Sequence, residues 1–213
     1  MSYIIGVDEV GRGCLAGDVY VTAVRAPVGM TKIMGVADSK TLSSKKREFL
    51  HPILTAHPDL KYRVCTRSVD FINRDGIVKA VREAFLEAIE QLLSLGDSVQ
   101  VVRVDGIPIW PQNRLPVPTE FLPKGDVLDW VIGAASIIAK VERDAYMAEQ
   151  AKQYPQYGWE RNAGYGTQEH LAALKQHGLT PLHRTQFCHA HAQVPGPAGQ
   201  TVFEDSGLDD LFA

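Results

Sequence analysis

Asp8 and Glu9 close the apolar run YIIGV and stand directly before Val10, Gly11, Arg12 and Gly13. Asp105 closes a second apolar run, VVRVDG, and Asp126 follows in PKGDVLDW. Four carboxylates from three separate element ends can meet in a sheet protein, because ligands gather at the carboxyl ends of parallel strands. Their mutual repulsion is costly unless they hold divalent cations or share protons. Oxygen-only ligation by carboxylate and water suits Mg²⁺ or Mn²⁺ and not zinc. Two such ions about 4 Å apart activate a water and stabilise the leaving oxygen in phosphodiester cleavage.

Taken singly, each acid also has a plainer reading. Asp8 and Glu9 can begin a solvated turn, Asp105 can be the turn residue of an Asp-Gly pair, and Asp126 can cap the helix that follows it. Successive strand residues point to opposite faces, so Asp8 and Glu9 are expected to converge only where the chain leaves regular strand geometry, a freedom that Gly11 supplies. The glycines do not form a dinucleotide fingerprint. Gly11, Gly13 and Gly17 are spaced G-x-G-x-x-x-G, and a β-branched run from Val19 to Val24 follows where a helix N-terminus would be needed.

The elements that must position these groups are legible as patterns. Residues 3 to 7 read as a buried strand and VYVTAVRA, at about 19 to 26, as its partner. The stretch ADSKTLSSKKREFLHPIL predicts a basic helix ending at or soon after Pro52, and KYRVCTRSV a third strand at about 61 to 69. From Ile77 to Leu95 apolar residues recur every three or four positions, a helix stopped by Gly96. SVQVVRVDG is a fourth strand, and an edge strand is expected around Thr119 to Leu122 between prolines. A long helix is expected from about Val127 to Gln153, then a loop PQYGWERNAGYGT, then a helix QEHLAALKQH capped by Thr167 and ended by Gly178. The alternation of strand, helix and strand predicts an α/β fold. QVPGPAGQ reads as a linker, so the expected organisation is a folded unit over residues 1 to 193 and a flexible tail over 194 to 213.

The 213 residues are 45% hydrophobic and 22% charged, the balance of one sizeable core. Acids at positions 8 and 9 interrupt any leader peptide, and no apolar run approaches the ~20 residues of a membrane span, so neither export nor insertion is expected. Cys14, Cys65 and Cys188 are odd in number and have no C-x-x-C spacing, which fits a reducing cytoplasm. The net charge of -3 hides an uneven distribution, because the last thirteen residues, TVFEDSGLDDLFA, hold four acids and no Lys or Arg. Without those acids the body carries 22 basic against 21 acidic residues, so charge does not exclude a nucleic-acid partner. Cys188, His189 and His191 lack the fourth ligand that a zinc site needs. No coiled coil or repeat points away from a monomer.

GVDEVGRGCLAG, ADSKTLS, VDG, KGD, GAASIIAKVERD and GYGT, in this order across residues 6 to 167, resemble the type 2 ribonucleases H, specifically ribonuclease HII. The related ribonuclease HIII has an extra N-terminal domain and a glutamate as its fourth acid; here the first motif starts at residue 6 and the fourth acid is Asp126. The resemblance implies an RNase H-like fold with a mixed sheet flanked by helices and a small C-terminal helical section. It implies endonucleolytic cutting of the RNA strand of RNA-DNA hybrids, and cutting 5′ to a single ribonucleotide embedded in duplex DNA. Asp8, Glu9, Asp105 and Asp126 become the catalytic metal ligands for two Mg²⁺ or Mn²⁺ ions. A non-catalytic hybrid-binding protein is the alternative, and it would not need all four acids.

The same resemblance makes the backbone of Gly11, Arg12 and Gly13 the sensor of the 2′-hydroxyl, the chemical mark of RNA. It makes Tyr165 of GYGT the residue that packs on the sugar of the next nucleotide and favours a deoxyribose there. Phosphate contacts are expected from Ser39 and Lys40, and from Lys140 and Arg143 on the long helix, with Lys45, Lys46 and Arg47 on a solvated face. Cys14 and Asp18 stand where the family commonly has proline or a small residue, and the segment from Asp105 to Asp126 is slightly long. SGLDDLF, at 206 to 212, resembles the LF-type peptides by which bacterial replication proteins dock on the sliding clamp.

Overall fold

The structure, a computed structural model, describes residues 1–36 and 42–188. Asp38, Ser39, Lys40, His189, His191 and the tail lie outside the described residues, as does the expected boundary near residue 193.

Five strands form one sheet in the order β3-β2-β1-β4-β5. β1 (Ser2–Val10) and β2 (Val19–Pro27) pair antiparallel, and β3 (Lys61–Arg67) pairs antiparallel with β2. β4 (Ser98–Asp105) lies parallel to β1, and the short β5 (Thr119–Leu122) lies parallel to β4 at the edge. The sheet is therefore mixed, as expected, and the proline-flanked strand occupies the place where a missing donor does least harm.

Helices cover both faces. α3 (Ile77–Leu93) turns Val81, Ala84, Phe85, Ala88, Ile89 and Leu92 onto one face, against Val21 and Ala23 of β2 and Cys65 of β3, in a cluster that extends to Ile5 and Val7 of β1. Burying each large side chain of that stripe contributes roughly 1.5–3 kcal/mol. On the other face α1 (Ser44–Thr55) and α5 (Trp130–Gln153) pack over β2 through Leu50, Leu54, Val131, Ala135 and Ile138. α5 sits so close to β1 that a Cβ on Gly6 would lie 2.5 Å from the backbone nitrogen of Ile132. The run Gly133, Ala134 and Ala135 permits that approach. Among the described residues no helix is long and apolar enough to cross a membrane.

Three expectations need correction. Val69–Asp75 is a helix, α2, where the sequence pattern suggested only the end of a strand; its first amides are taken by the Ser68 hydroxyl, from Phe71 N–H at 3.2 Å, and by Asp18 Oδ1, from Val69 N–H at 3.1 Å. The long helix does not start at Val127. A single turn, α4 (Gly125–Leu128), ends at Asp129, whose extended backbone starts α5 anew and whose side chain accepts the amides of Val131 at 2.8 Å and Ile132 at 3.4 Å. The capping role open to Asp126 thus belongs to Asp129. The segment PQYGWERNAGYGT is not wholly a loop either, since Trp159–Asn162 forms one helical turn, α6.

α6, α7 (Gln168–His177), the C-terminal half of α5 and the short α8 (Thr185–Cys188) enclose a third apolar cluster with Leu15, Met147, Trp159 and Leu174. This is the small helical section. Thr167 caps α7 as expected, accepting His170 N–H at 3.3 Å.

Candidate active site

β1 and β4 run side by side in register as far as Val7 and Val104, so Asp8, still within β1, lies beside Asp105 at the carboxyl end of the adjacent parallel strand. Neighbouring strands stand about 4.8 Å apart, which brings the two acids together without any loop to aim them. β1 stays paired with β2 through Val10, so the departure from strand geometry expected at Asp8 and Glu9 does not occur. Convergence comes instead from β4 ending at Asp105, which opens the β1 edge to both acids.

The fourth acid arrives by a backbone bond. Gly125 N–H donates to Asp105 Oδ1 at 2.6 Å, fixing the first residue of α4 on the end of β4, and Asp126 is the next residue. A side chain on Gly125 would meet Ile132 Cδ1 at 2.7 Å, so the isoleucine would have to shift to admit one. Lys124, the residue before it, is left-handed at φ 61, a conformation that a non-glycine residue adopts at some cost.

Asp8 and Asp126 are buried, 4% and 2% exposed, while Glu9 and Asp105 are half-buried. Burial pushes the Asp8 carboxyl well above the usual carboxylate range; the charges of Glu9, Asp105 and Asp126 push it further, and a hydrogen bond from Ser136 on α5 opposes them. Glu9 is also raised, first by burial and then by Asp105, with the Arg12 guanidinium at 3.6 Å pulling the other way. Asp8 therefore feels the other three acids, and Glu9 feels Asp105. They are neighbours and not a closed shell: among the described residues no three His, Cys, Asp or Glu side chains are drawn up as a ready-made metal cage. An oxygen-only, mutually repelling and desolvated donor set fits a hard divalent cation, whose charge would offset all of these penalties.

Beyond Glu9 the chain turns at Gly11, φ +89, where a Cβ would lie 2.1 Å from Arg143 Nε. The turn leaves Arg12 and Gly13 exposed and Cys14 through Gly17 buried. Arg143 does not stand at the surface as a phosphate contact must. It is fully buried beneath this loop, donating through Nε to the carbonyl of Asp18 at 2.9 Å, through Nη1 to that of Ala163 at 2.8 Å and through Nη2 to that of Ala16 at 3.0 Å. All three of its nitrogens are spent on backbone, which corrects the expectation of a phosphate contact.

Tyr165 is 40% exposed and stands beside this loop. Lys140 Nζ lies 5.7 Å from its ring centroid and pairs with Asp144 at 2.9 Å, so this lysine stands beside the tyrosine ring. Burial of the hydroxyl and its hydrogen bond with Cys14 push the Tyr165 phenol up to about 12. Ser39 and Lys40 lie outside the described residues.

Pattern reading missed four groups. Ser136 steadies Asp8. Arg184, also fully buried, donates to the carbonyl of Arg12 at 2.9 Å and twice to that of Gly17. His170 and His183 sit in one buried cluster behind Tyr165. A signal existed for Ser136: with Ala139, Arg143 and Met147 it recurs every three or four residues, a single inward stripe of α5 that also accounts for the burial of Arg143.

Known proteins resemble this chain over most of its length. The family model for ribonuclease HII matches residues 5–190. A ribonuclease HII of Leuconostoc mesenteroides is 44% identical over 186 residues, covering 86% of this chain and 69% of the relative. One of Rhodospirillum rubrum is 45% identical over 187 residues, covering 86% of this chain and 83% of the relative. The ribonuclease HII solved in complex with PCNA from Archaeoglobus fulgidus superposes with a TM-score of 0.70 at 23% identity, over 86% of this chain and 93% of that one, which shows the shared RNase H-like fold. The matched family model covers most of the chain and all four acids, and on that ground the chain belongs to the ribonuclease HII family.

Proposed function

We propose that this chain cuts the RNA strand of RNA-DNA hybrids internally, and nicks duplex DNA on the 5′ side of a single embedded ribonucleotide, leaving 3′-hydroxyl and 5′-phosphate ends. The observation that carries this reading is the convergence of Asp8, Glu9, Asp105 and Asp126, the last three each raising the cost of ionising Asp8. Two Mg²⁺ or Mn²⁺ ions held by these four would supply an activated water and stabilise the leaving oxygen. The protein's own share is positional. Asp105 is fixed by Gly125, Asp8 by Ser136 and by the amide of Glu9 at 2.7 Å, and Asp126 by α4.

Selection of the sugar falls to the turn at Gly11, Arg12 and Gly13, whose backbone approaches a 2′-hydroxyl with no bulky side chain at either glycine. Tyr165 packs on the next sugar and favours deoxyribose. Lys140, with Ser39 and Lys40, contacts phosphate. The free thiols of Cys14, Cys65 and Cys188, all buried, support action in a reducing cytoplasm, and the chain acts as a monomer. The tail peptide SGLDDLF docks on a sliding clamp; deleting residues 201 to 213 then weakens clamp binding in a titration, and unchanged affinity ends that idea.

The test is a duplex carrying one ribonucleotide, incubated with Mg²⁺ or Mn²⁺, with end-group analysis of the products. Nicking 5′ to the ribonucleotide that disappears in Asp126→Asn is expected. Binding of the duplex without nicking by the wild-type chain would favour a hybrid-binding protein instead.

A further inference from the structure

His183 and Arg184 are adjacent, fully buried, and reach in two directions. Arg184 holds the turn that follows β1: Nη1 donates to the carbonyl of Arg12 at 2.9 Å, Nε and Nη2 to that of Gly17 at 2.9 and 2.7 Å, and its own amide to that of Leu15 at 2.8 Å. His183 reaches the other loop through His170. Thr180 N–H donates to His183 Nδ1 at 2.9 Å, which leaves the imidazole proton on Nε2. That proton is shared with His170 Nε2 at 3.1 Å, and Trp159 Nε1–H donates to the same nitrogen at 3.1 Å. The two donors share the one lone pair of His170 Nε2, so its proton sits on Nδ1 and is donated to the carbonyl of Tyr165 at 2.9 Å.

Every proton in this chain has one consistent place, and it runs from Thr180 to Tyr165 without a gap. Burial holds both imidazoles below their ordinary range, so both are neutral, as the tautomers require. The carbonyl of Tyr165 also accepts the amide of Thr167 at 2.8 Å, so the exposed tyrosine ring is carried on a backbone clamped from behind.

We propose that His183 and Arg184 are positioning residues that hold the two substrate-reading loops in register, and that the hydrogen-bond chain His183 to His170 to the Tyr165 carbonyl sets the preference for a deoxyribose after the ribonucleotide. This rests on the roles given above to the Gly11-Gly13 turn and Tyr165, and it adds the groups that determine how far apart those two readers stand. Neither histidine touches substrate or cation.

The test compares two isosteric truncations. His170→Asn places an amide N–H where Nδ1–H was and keeps the donor to Tyr165; His170→Gln places its amide where Nε2 was and loses that donor. Both remove part of the buried network, so a merely structural role lowers melting temperature and activity in parallel for the two. The readout is the ratio of single-turnover rates on a duplex with one ribonucleotide followed by DNA and on a continuous RNA-DNA hybrid. We expect His170→Gln to lower that ratio ~10-fold, the effect of a misplaced contact worth one decade in rate, and His170→Asn to keep it within ~3-fold. In a Tyr165→Ala background His170→Gln should lower the ratio no further.

Equal ratios for His170→Asn and His170→Gln overturn the relay while leaving Tyr165 as reader. A ratio that Tyr165→Ala itself leaves intact overturns the relay together with the reading of Tyr165. Should either variant fail to fold, ¹⁵N-histidine NMR of the wild-type chain decides: protonation of His183 on Nε2 and of His170 on Nδ1 is expected at neutral pH, and the opposite tautomer of either ring overturns the proposal.

Discussion

Asp105 Oδ1 accepts the amide of Gly125 at 2.6 Å, so the strand-end acid and the acid that follows Gly125 are joined through one hydrogen bond. The site is thus assembled by backbone, with charge repulsion left standing among its carboxylates. Asp8 bears most of that repulsion. Asp8→Asn keeps an oxygen that accepts from the Glu9 amide but removes the buried charge. We expect activity to fall at least ~1,000-fold while the metal-free protein gains roughly 1 kcal/mol, a rise of about 2–4 °C in melting temperature for a chain of this size. A variant that loses activity and also melts lower would show that burial at Asp8 carries no strain.

Gly11 and Arg143 occupy one another's space, with no room for a methyl between them. Gly11→Ala meets both an unfavourable φ of +89, at roughly 1–2 kcal/mol, and overpacking at about 1–3 kcal/mol. A drop in the urea midpoint worth about 2–5 kcal/mol is expected, with displaced Arg12 and Gly13 lowering selectivity for ribonucleotides over DNA. A midpoint within error of wild type would contradict the packing.

Lys140 and Arg143 lie on the same helix and should separate cleanly in binding assays. Lys140→Ala is expected to reduce the salt dependence of hybrid affinity by about one unit of slope, as for the loss of one phosphate contact. Arg143→Lys abandons backbone carbonyls at Asp18, Ala163 and Ala16 and should cost ~3 kcal/mol of stability with the salt slope unchanged. A slope that falls in Arg143→Lys would return that residue to the phosphate.

Acid sensitivity follows from the histidine pair. Burial lowers His170, and burial followed by the neighbouring His170 lowers His183 to about 4, against an unfolded value near 6.5. Between those limits the unfolded chain binds protons that the folded chain refuses. Stability is therefore complete above about pH 6.5 and is lost as pH falls towards 4, by roughly 2–3 kcal/mol from His183. Asp8 and Glu9, raised in the folded state, act with the opposite sign. Denaturation midpoints taken from pH 7.5 to 4.5 should converge with those of His183→Gln as the pH drops; curves that stay parallel would place the titration elsewhere.

Much of this was legible because strand ends and helix stripes leave strong patterns. Asp8 and Asp105 each close a run of apolar residues, and the α3 stripe from Ile77 to Leu93 predicts its own buried face. What failed were places where tertiary contacts decide. α2 is short and depends on Asp18, fifty-one residues distant, to take an amide that its own sequence leaves open. The break between α4 and α5 rests on Asp129, which is tied to Arg103 of β4 at 2.6 Å, a partner that local propensity does not reveal. Arg143 was misplaced by its residue type, since an arginine reads as exposed unless the carbonyls that satisfy it are known.

Manganese binding tests the central claim most directly. Titrating the protein with Mn²⁺ and following the free-ion signal by electron paramagnetic resonance, we predict saturable uptake by the wild-type chain and at least ~10-fold weaker uptake by Asp105→Asn and by Asp8→Asn, with Asp97→Asn, remote from the site, unchanged. Equal uptake by wild type and both site variants would contradict the account.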